Sequence, residues 1–332
     1  MNVESVETPT PESPARGRRP ARRPGRRVGD RVFQALTTTV GVIVLVVLTV
    51  ITVFLFVKAW PALHSAGLGF FTETKWFPDT NPPTFGVAAL LWGTLLSSVV
   101  ALLIAVPVAI GSALYTTEYA PALVGRWVGY LIDLLAAVPS VVYGFWGVTF
   151  LVPRMVPLQQ WLAHHLGFIP LFGDPDDLFG KSMFAASVVL ALMVLPIVAA
   201  ISREVFRQVP GDMREAALAL GATRWEMIRT AVLPASRSGI VGAMVLGLGR
   251  ALGETIAVAL VLAATFDINV KILKPGGNTI AANVATKFGD AGDLGRSALV
   301  ASGLVLFAIT LAATLVARSV IRRTGRAVTG LA

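Results

Sequence analysis

LTTTVGVIVLVVLTVITVFLFV, residues 36–57, is a mostly apolar stretch without a single charge. A membrane-spanning helix needs about 20 mostly apolar residues, because the hydrocarbon core is about 30 Å thick and a helix rises 1.5 Å per residue. The stretch meets that length. It is too long for the core of a secretory signal and no small-residue cleavage site follows it, so it reads as an uncleaved anchor. Further apolar blocks lie at Val87–Leu114, Trp127–Val152, Ser182–Ile201, Gly239–Ala264 and Ser297–Ala317. Pro107, Pro139 and Pro196 fall inside three of them, which membrane helices tolerate when neighbours or water satisfy the freed carbonyls. The expected fold is all-α, a polytopic bundle of about six transmembrane helices.

Composition supports this reading. Apolar residues make up 55% and charged residues only 14% of the chain, where a soluble domain carries roughly a quarter charged. The absence of cysteine excludes a disulfide framework, a thiol nucleophile and a thiolate metal site. His64 stands alone, and the adjacent His164 and His165 lack a third ligand, so no metal site is expected. The net charge of +9 is unevenly placed. Residues 1–34 are rich in Pro, Arg and Gly and are expected to be a disordered basic tail. Its arginines, from Arg16 to Arg31, suit anionic lipid or nucleic acid. The simpler reading is a topogenic segment holding the N-terminus in the cytoplasm, with membrane lipid as its neighbour and no nucleic-acid partner. Basic residues recur between Arg203 and Arg237 and from Arg318 to Arg326, placing both termini inside.

The expected organisation is a tail at 1–34, a first span and external loop at 35–86, a transmembrane core at 87–318 and a basic cytoplasmic tail at 319–332. The outward loops, 58–86, 153–181 and 265–296, carry Trp60, Trp76 and Trp161, suited to an interfacial belt. Gln159–Phe168 reads as a short helix on the surface. Gly180-Lys181-Ser182 resembles the end of a phosphate-binding loop, but Pro175 stands where its earlier glycine is required and no strand precedes it. It is rejected as a nucleotide site.

The connection at 202–236 is patterned. Asp212 with Glu215, and Thr223 with Glu226, have capping-box spacing. Gly221 sits where a helix end takes a left-handed residue, and Pro234 reads as the end of the second helix. On the first helix Met213, Ala216, Ala217 and Leu220 share a face, which suits a groove on another protein; packing on its own bundle is the other reading.

Glu215-Ala216-Ala217, Gly221 and Leu233-Pro234 resemble the EAA signature of ABC importer permeases. Ala231 stands where that pattern usually has isoleucine, altering the packing behind the first helix and leaving its docking intact. The resemblance implies a type I ABC importer permease fold, in which Asp212, Met213, Glu215, Ala216, Ala217, Leu220 and Gly221 dock onto an ATP-binding subunit.

Within the fifth block, Arg250 and Glu254 interrupt GLGRALGET, residues 247–255. Each costs roughly 2.5–3.5 kcal/mol at a membrane helix centre, so both should face the bundle interior or a wet cavity. Four residues apart, they are expected on one helical face, in the weaker Arg-before-Glu order for helix support. Gly249 and Gly253 form a Gly-xxx-Gly step suited to close helix approach. One reading is an ion pair that locks packing. The other is a guanidinium offering forked donors to a tetrahedral oxyanion, with Glu254 keeping that binding weak enough for release. Residues 247–258 and 138–147 (VPSVVYGFWG) resemble the phosphate-specific permeases of the PstC type, over roughly residues 35–320. That likeness implies a phosphate path through Arg250, Glu254 and Thr255 and no catalytic residue or bound cofactor in this chain. The implied partners are a PstA-type permease, a PstB-type ATPase dimer using ATP and Mg, and an external PstS-type binding protein. Asp133 has no such assignment and is read as structural. Other cargoes, sulfate or molybdate, and an ATP-independent channel or carrier stay open from chemistry alone.

Overall fold

The computed structural model describes residues 28–173 and 180–329. The chain divides into two units, Met1–Ile51 and Thr52–Ala332. In the first, the described residues belong to helix α1 (Val28–Ala66), whose apolar side chains there are exposed. A helix apolar all round and unburied matches lipid rather than water. Most of the basic tail lies outside the described residues. Its last part, from Val28, is already helical.

The second unit continues with a two-stranded antiparallel ribbon, β1 (Trp76–Phe77) and β2 (Thr84–Phe85), and helices α2 (Ala88–Leu114), α3 (Ala122–Ala137), α4 (Ser140–Trp146), α5 (Val152–Leu166), α6 (Met183–Arg207), α7 (Gly211–Ala219), α8 (Arg224–Met227), α9 (Leu233–Gly253), α10 (Ile256–Val261), α11 (Ile280–Lys287) and α12 (Asp293–Thr329). Wide π turns at 115–119, 147–151 and 228–232 extend α2, join α4 to α5 and join α8 to α9. Among the described residues six stretches are long and apolar enough to cross a membrane: 29–71, 88–119, 140–166, 183–207, 224–253 and 293–319. The all-α bundle of six spans is therefore present.

Helix α6 is the most enclosed span. It packs against α2, α3 and α9 through small residues such as Ala185, Ala186, Ala191 and Ala199, each nearly or fully buried. Small side chains let helix backbones approach where lipid offers no hydrophobic drive. Gly247 meets Val194 and Val198, and Gly239 meets Val205. The expected Gly249–Gly253 step meets no helix of this chain: a Cβ at either position would meet nothing within 4 Å. Helix α9 turns Ala243, Gly247 and Ala251 inward instead.

Four features differ from expectation. The block 127–152 is not one helix; it breaks at Val138-Pro139, and the third span is the run from Ser140 to Leu166. Gln159 is consequently no part of a separate surface helix. It is fully buried in α5, where its amide takes the Gly180 N–H at 2.9 Å and donates to the Gly180 carbonyl and the Ser182 hydroxyl. Those bonds also give the Gly180–Ser182 segment a structural role, because Ser182 caps α6. Trp76, expected in the interfacial belt, is 6% exposed and stacks on Phe266, whereas Trp60 and Trp161 are exposed. Finally, α12 runs through 319 to Thr329 without a break at the expected tail boundary.

On the loop side bearing the β-ribbon, Phe70, Trp76, Phe85, Ile280 and Leu299 form a second apolar cluster. Asp79 accepts from the N–H groups of Gly292 and Gly295 at the start of α12, a carboxylate where the helix dipole favours one.

Candidate functional site: two interrupted helices and a capped hairpin

Helix α9 ends at Gly253, and Glu254 has an extended backbone (φ −69°, ψ 130°). Glycine at the last helical position gives little support to continuing the turn. The Glu254 carboxylate then accepts from the Ala257 N–H at 3.4 Å, and α10 starts anew at Ile256. Arg250 and Glu254 therefore do not share one continuous helix, contrary to expectation. They also do not pair. The ion pairs among the described residues are Arg203–Asp133 and Arg214–Glu118. Glu254 is buried at 8% exposure, spent on starting α10. Arg250 is exposed in the last turn of α9, where the dipole favours a cation, and Thr255 is partly buried beside the break.

The second interruption lies next to the first. Pro139 has no N–H to give the Leu135 carbonyl, and α3 stops. The Tyr143 hydroxyl, one turn into α4, donates to that same Leu135 carbonyl at 3.0 Å. Arg250 is close enough for its charge to act on Tyr143. Gly144 brings α4 against α10: a Cβ there would lie 2.7 Å from the Ala257 Cα. Two discontinuous helices thus cross beside one another, with an unpaired guanidinium and a phenol at the crossing. Interrupted membrane helices that expose donors at a break are suited to hold an anion.

Asp133, on α3, pairs with Arg203 of α6 at 2.9 and 3.2 Å, the structural role expected for it. Gly129 makes the pair sterically allowed, because a Cβ there would collide with the Arg203 guanidinium. The Asp133 side chain is 51% exposed and that of Arg203 10%.

Between the fourth and fifth spans the chain folds into the expected hairpin. Gly221 is left-handed at φ +86°. The bonds from Ala222 N–H to the Ala217 carbonyl and from Gly221 N–H to Leu218 make a Schellman end. Thr223 and Glu226 form a complete capping box. Asp212 and Glu215 do not, since α7 is preceded by Pro210 with no side-chain cap. Pro234 does not end the second helix either. The Leu233 N–H reaches five residues back to Ile228, and this wide turn absorbs the proline within a helical run to Gly253. Met213, Glu215, Ala216 and Leu220 are exposed, as are Asp212 and Gly221. Ala217 instead packs on a third apolar cluster of Ala113, Phe206, Val209, Met227, Ile228 and Val232. Ala231, at the position of the usual isoleucine, is buried at 6% exposure.

The sequence reading passed over Tyr143 as a chemical group, and Glu118 and Arg214 entirely. A tyrosine four residues after a proline was the available signal for the first. For the pair, a lone carboxylate at the end of an apolar block was the sign.

Six apolar spans, with helix breaks at the start of the third and the end of the fifth lying side by side, make this a multi-pass membrane protein. The chain belongs to the family described as binding-protein-dependent transport system inner membrane component, matched over residues 105–326. It is 42% identical over 292 residues to the phosphate transport system permease protein PstC 2 of Mycobacterium tuberculosis, covering 87% of this chain and 90% of that protein. It is 41% identical over 297 residues to phosphate transport system permease protein PstC of Xylella fastidiosa strain 9a5c, covering 89% and 91%. Among solved structures it resembles a bacterial ABC transporter involved in alginate import, with a TM-score of 0.55 at 18% identity over 88% of this chain and 99% of that one. The last likeness shows a shared ABC permease fold.

Proposed function

We propose that this chain is the membrane-spanning permease subunit of an ATP-driven phosphate importer, with no catalytic residue of its own. The observation that carries the reading is its similarity, at about two residues in five and over nine-tenths of their length, to proteins named as phosphate permeases. Arg250 supplies matching chemistry: an exposed, unpaired guanidinium beside a helix interruption offers forked donors to a tetrahedral oxyanion. Glu254, held at the start of α10, and Thr255 line the break rather than neutralise Arg250 in this conformation. Phosphate released by an external PstS-type binding protein enters between this chain and a PstA-type permease. A PstB-type ATPase dimer, using ATP and Mg, docks on the exposed residues Asp212, Met213, Glu215 and Ala216 of α7, on Leu220 just after it and on the Gly221 turn. ATP-driven closure of that dimer moves the hairpin and switches the opening of the bundle. Both termini are cytoplasmic.

The test is reconstitution of the four-component importer in vesicles. Phosphate-loaded binding protein should stimulate ATP hydrolysis and uptake together. Stimulation by sulfate or molybdate with phosphate inert would reassign the cargo, and phosphate flux through this chain alone without ATP would make it a channel.

A further inference from the structure

Helix α7 has no buried residue, yet it is held firmly to the bundle. Besides the Ala217 contact, one side chain ties it there by hydrogen bonds. The Arg214 guanidinium donates through Nη2 to the Glu118 carboxylate at 3.0 Å and to the Phe206 carbonyl at 2.7 Å, and through Nη1 to the Val209 carbonyl at 2.6 Å. Glu118 lies on the wide turn that ends the second span, and its side chain is 5% exposed. Phe206 and Val209 lie at the end of the fourth span, where last-turn carbonyls lack helical partners. Arg224 of α8 donates to the backbone carbonyl of the same Glu118 at 3.2 Å. Both legs of the hairpin thus converge on one residue of the second span.

The chemistry of this junction differs from ordinary helix packing. Apolar contacts are non-directional and allow one helix to slide over another at small cost. A planar guanidinium shared among three acceptors fixes distance and orientation together. Separating it from Glu118 would leave a buried carboxylate uncompensated, which is strongly unfavourable. Helix α7 therefore cannot shift without carrying the ends of the second and fourth spans.

We propose that Arg214, acting through Glu118, is the positioning residue that converts displacement of α7 into displacement of the second and fourth spans. This rests on the reading of α7 as the ATPase docking helix. Arg214→Lys keeps the charge but cannot bridge three acceptors, and Glu118→Gln keeps the shape without the charge. The chain has no native cysteine, so Leu218→Cys, on the exposed surface of α7, supplies a cross-linking site to the ATPase in the reconstituted importer. Both variants should cross-link at the parent yield and hydrolyse ATP, while phosphate moved per ATP falls roughly 5-fold or more, the low end of ordinary coupling energies. An unchanged ratio in both variants with the cross-link intact overturns the joint. No cross-link from the parent Leu218→Cys chain overturns the docking reading, and the joint with it.

A second measurement needs only this chain. Spin labels at Leu218→Cys and Tyr119→Cys should give a narrow distance distribution that broadens in Arg214→Lys. A width unchanged by the substitution refutes the joint without reference to transport.

Discussion

Arg250 sits in an apolar helical run and has no carboxylate partner. Its place in the last turn of α9, not at the helix centre where a charge costs roughly 2.5–3.5 kcal/mol, leaves the guanidinium exposed and without a neutralising partner. Arg250→Glu should abolish phosphate uptake in the assembled importer; uptake at the parent rate would remove Arg250 from the path. Tyr143→Phe tests the neighbouring break. It deletes one of two donors to the Leu135 carbonyl, leaving the Val138 N–H at 3.3 Å, and the loss should cost about 0.5–1.5 kcal/mol, read as a lower thermal midpoint in detergent. Arg250 was legible in the sequence because a charge inside an apolar run has few structural uses. The role of Tyr143 was not, because the carbonyl it satisfies is freed by Pro139 and lies eight residues away. Nor was the Asp133–Arg203 pair, whose members are 70 residues apart and joined by no spacing rule.

At the scale of elements, caps and glycines read correctly where the signal was local. Gly221 and the Thr223–Glu226 box were legible because each motif is completed within six residues. The helix interruptions were harder. Apolar periodicity carries straight through Val138-Pro139 and through Gly253-Glu254, and only three-dimensional satisfaction of the freed backbone groups decides that the helices stop there. Pro234 misled in the opposite direction, since a π turn accommodated it. Two substitutions probe these features. Gly221→Ala forces a Cβ into a left-handed backbone and should cost about 1–2 kcal/mol, with increased amide exchange confined to residues 211–227. Gly144→Leu forces α4 away from α10, because even a Cβ meets the Ala257 backbone. It should reduce uptake while leaving ATPase association intact; unchanged uptake would show that the crossing tolerates separation.

For the molecule as a whole, length and composition of the apolar blocks were sufficient to read a six-span bundle. An even number of spans places the two termini on one side but does not say which; the excess of Lys and Arg supplies the direction. Cysteine labelling in intact cells checks it. Thr80→Cys, in the ribbon loop, should react with a membrane-impermeant maleimide, and Leu218→Cys only after permeabilisation. The reverse pattern would invert the orientation. The helical boundaries at both ends were not legible, because α1 and α12 begin and end in sequence whose polar composition alone reads as tail.

The apolar cluster beneath the hairpin draws on Ile110, Ala113, Leu114, Phe206, Val209, Ala217, Met227, Ile228, Val232, Leu233 and Ile240, all translated before the break at Gly253-Glu254 and the last span. During synthesis the seat for α7 can therefore close while residues beyond 240 are still being made, since its contacts do not wait for a distant C-terminal partner. The seat of the proposed docking helix is complete before the crossing of α4 and α10 is. A nascent permease could thus acquire its ATPase before it has a route for anything to leak through.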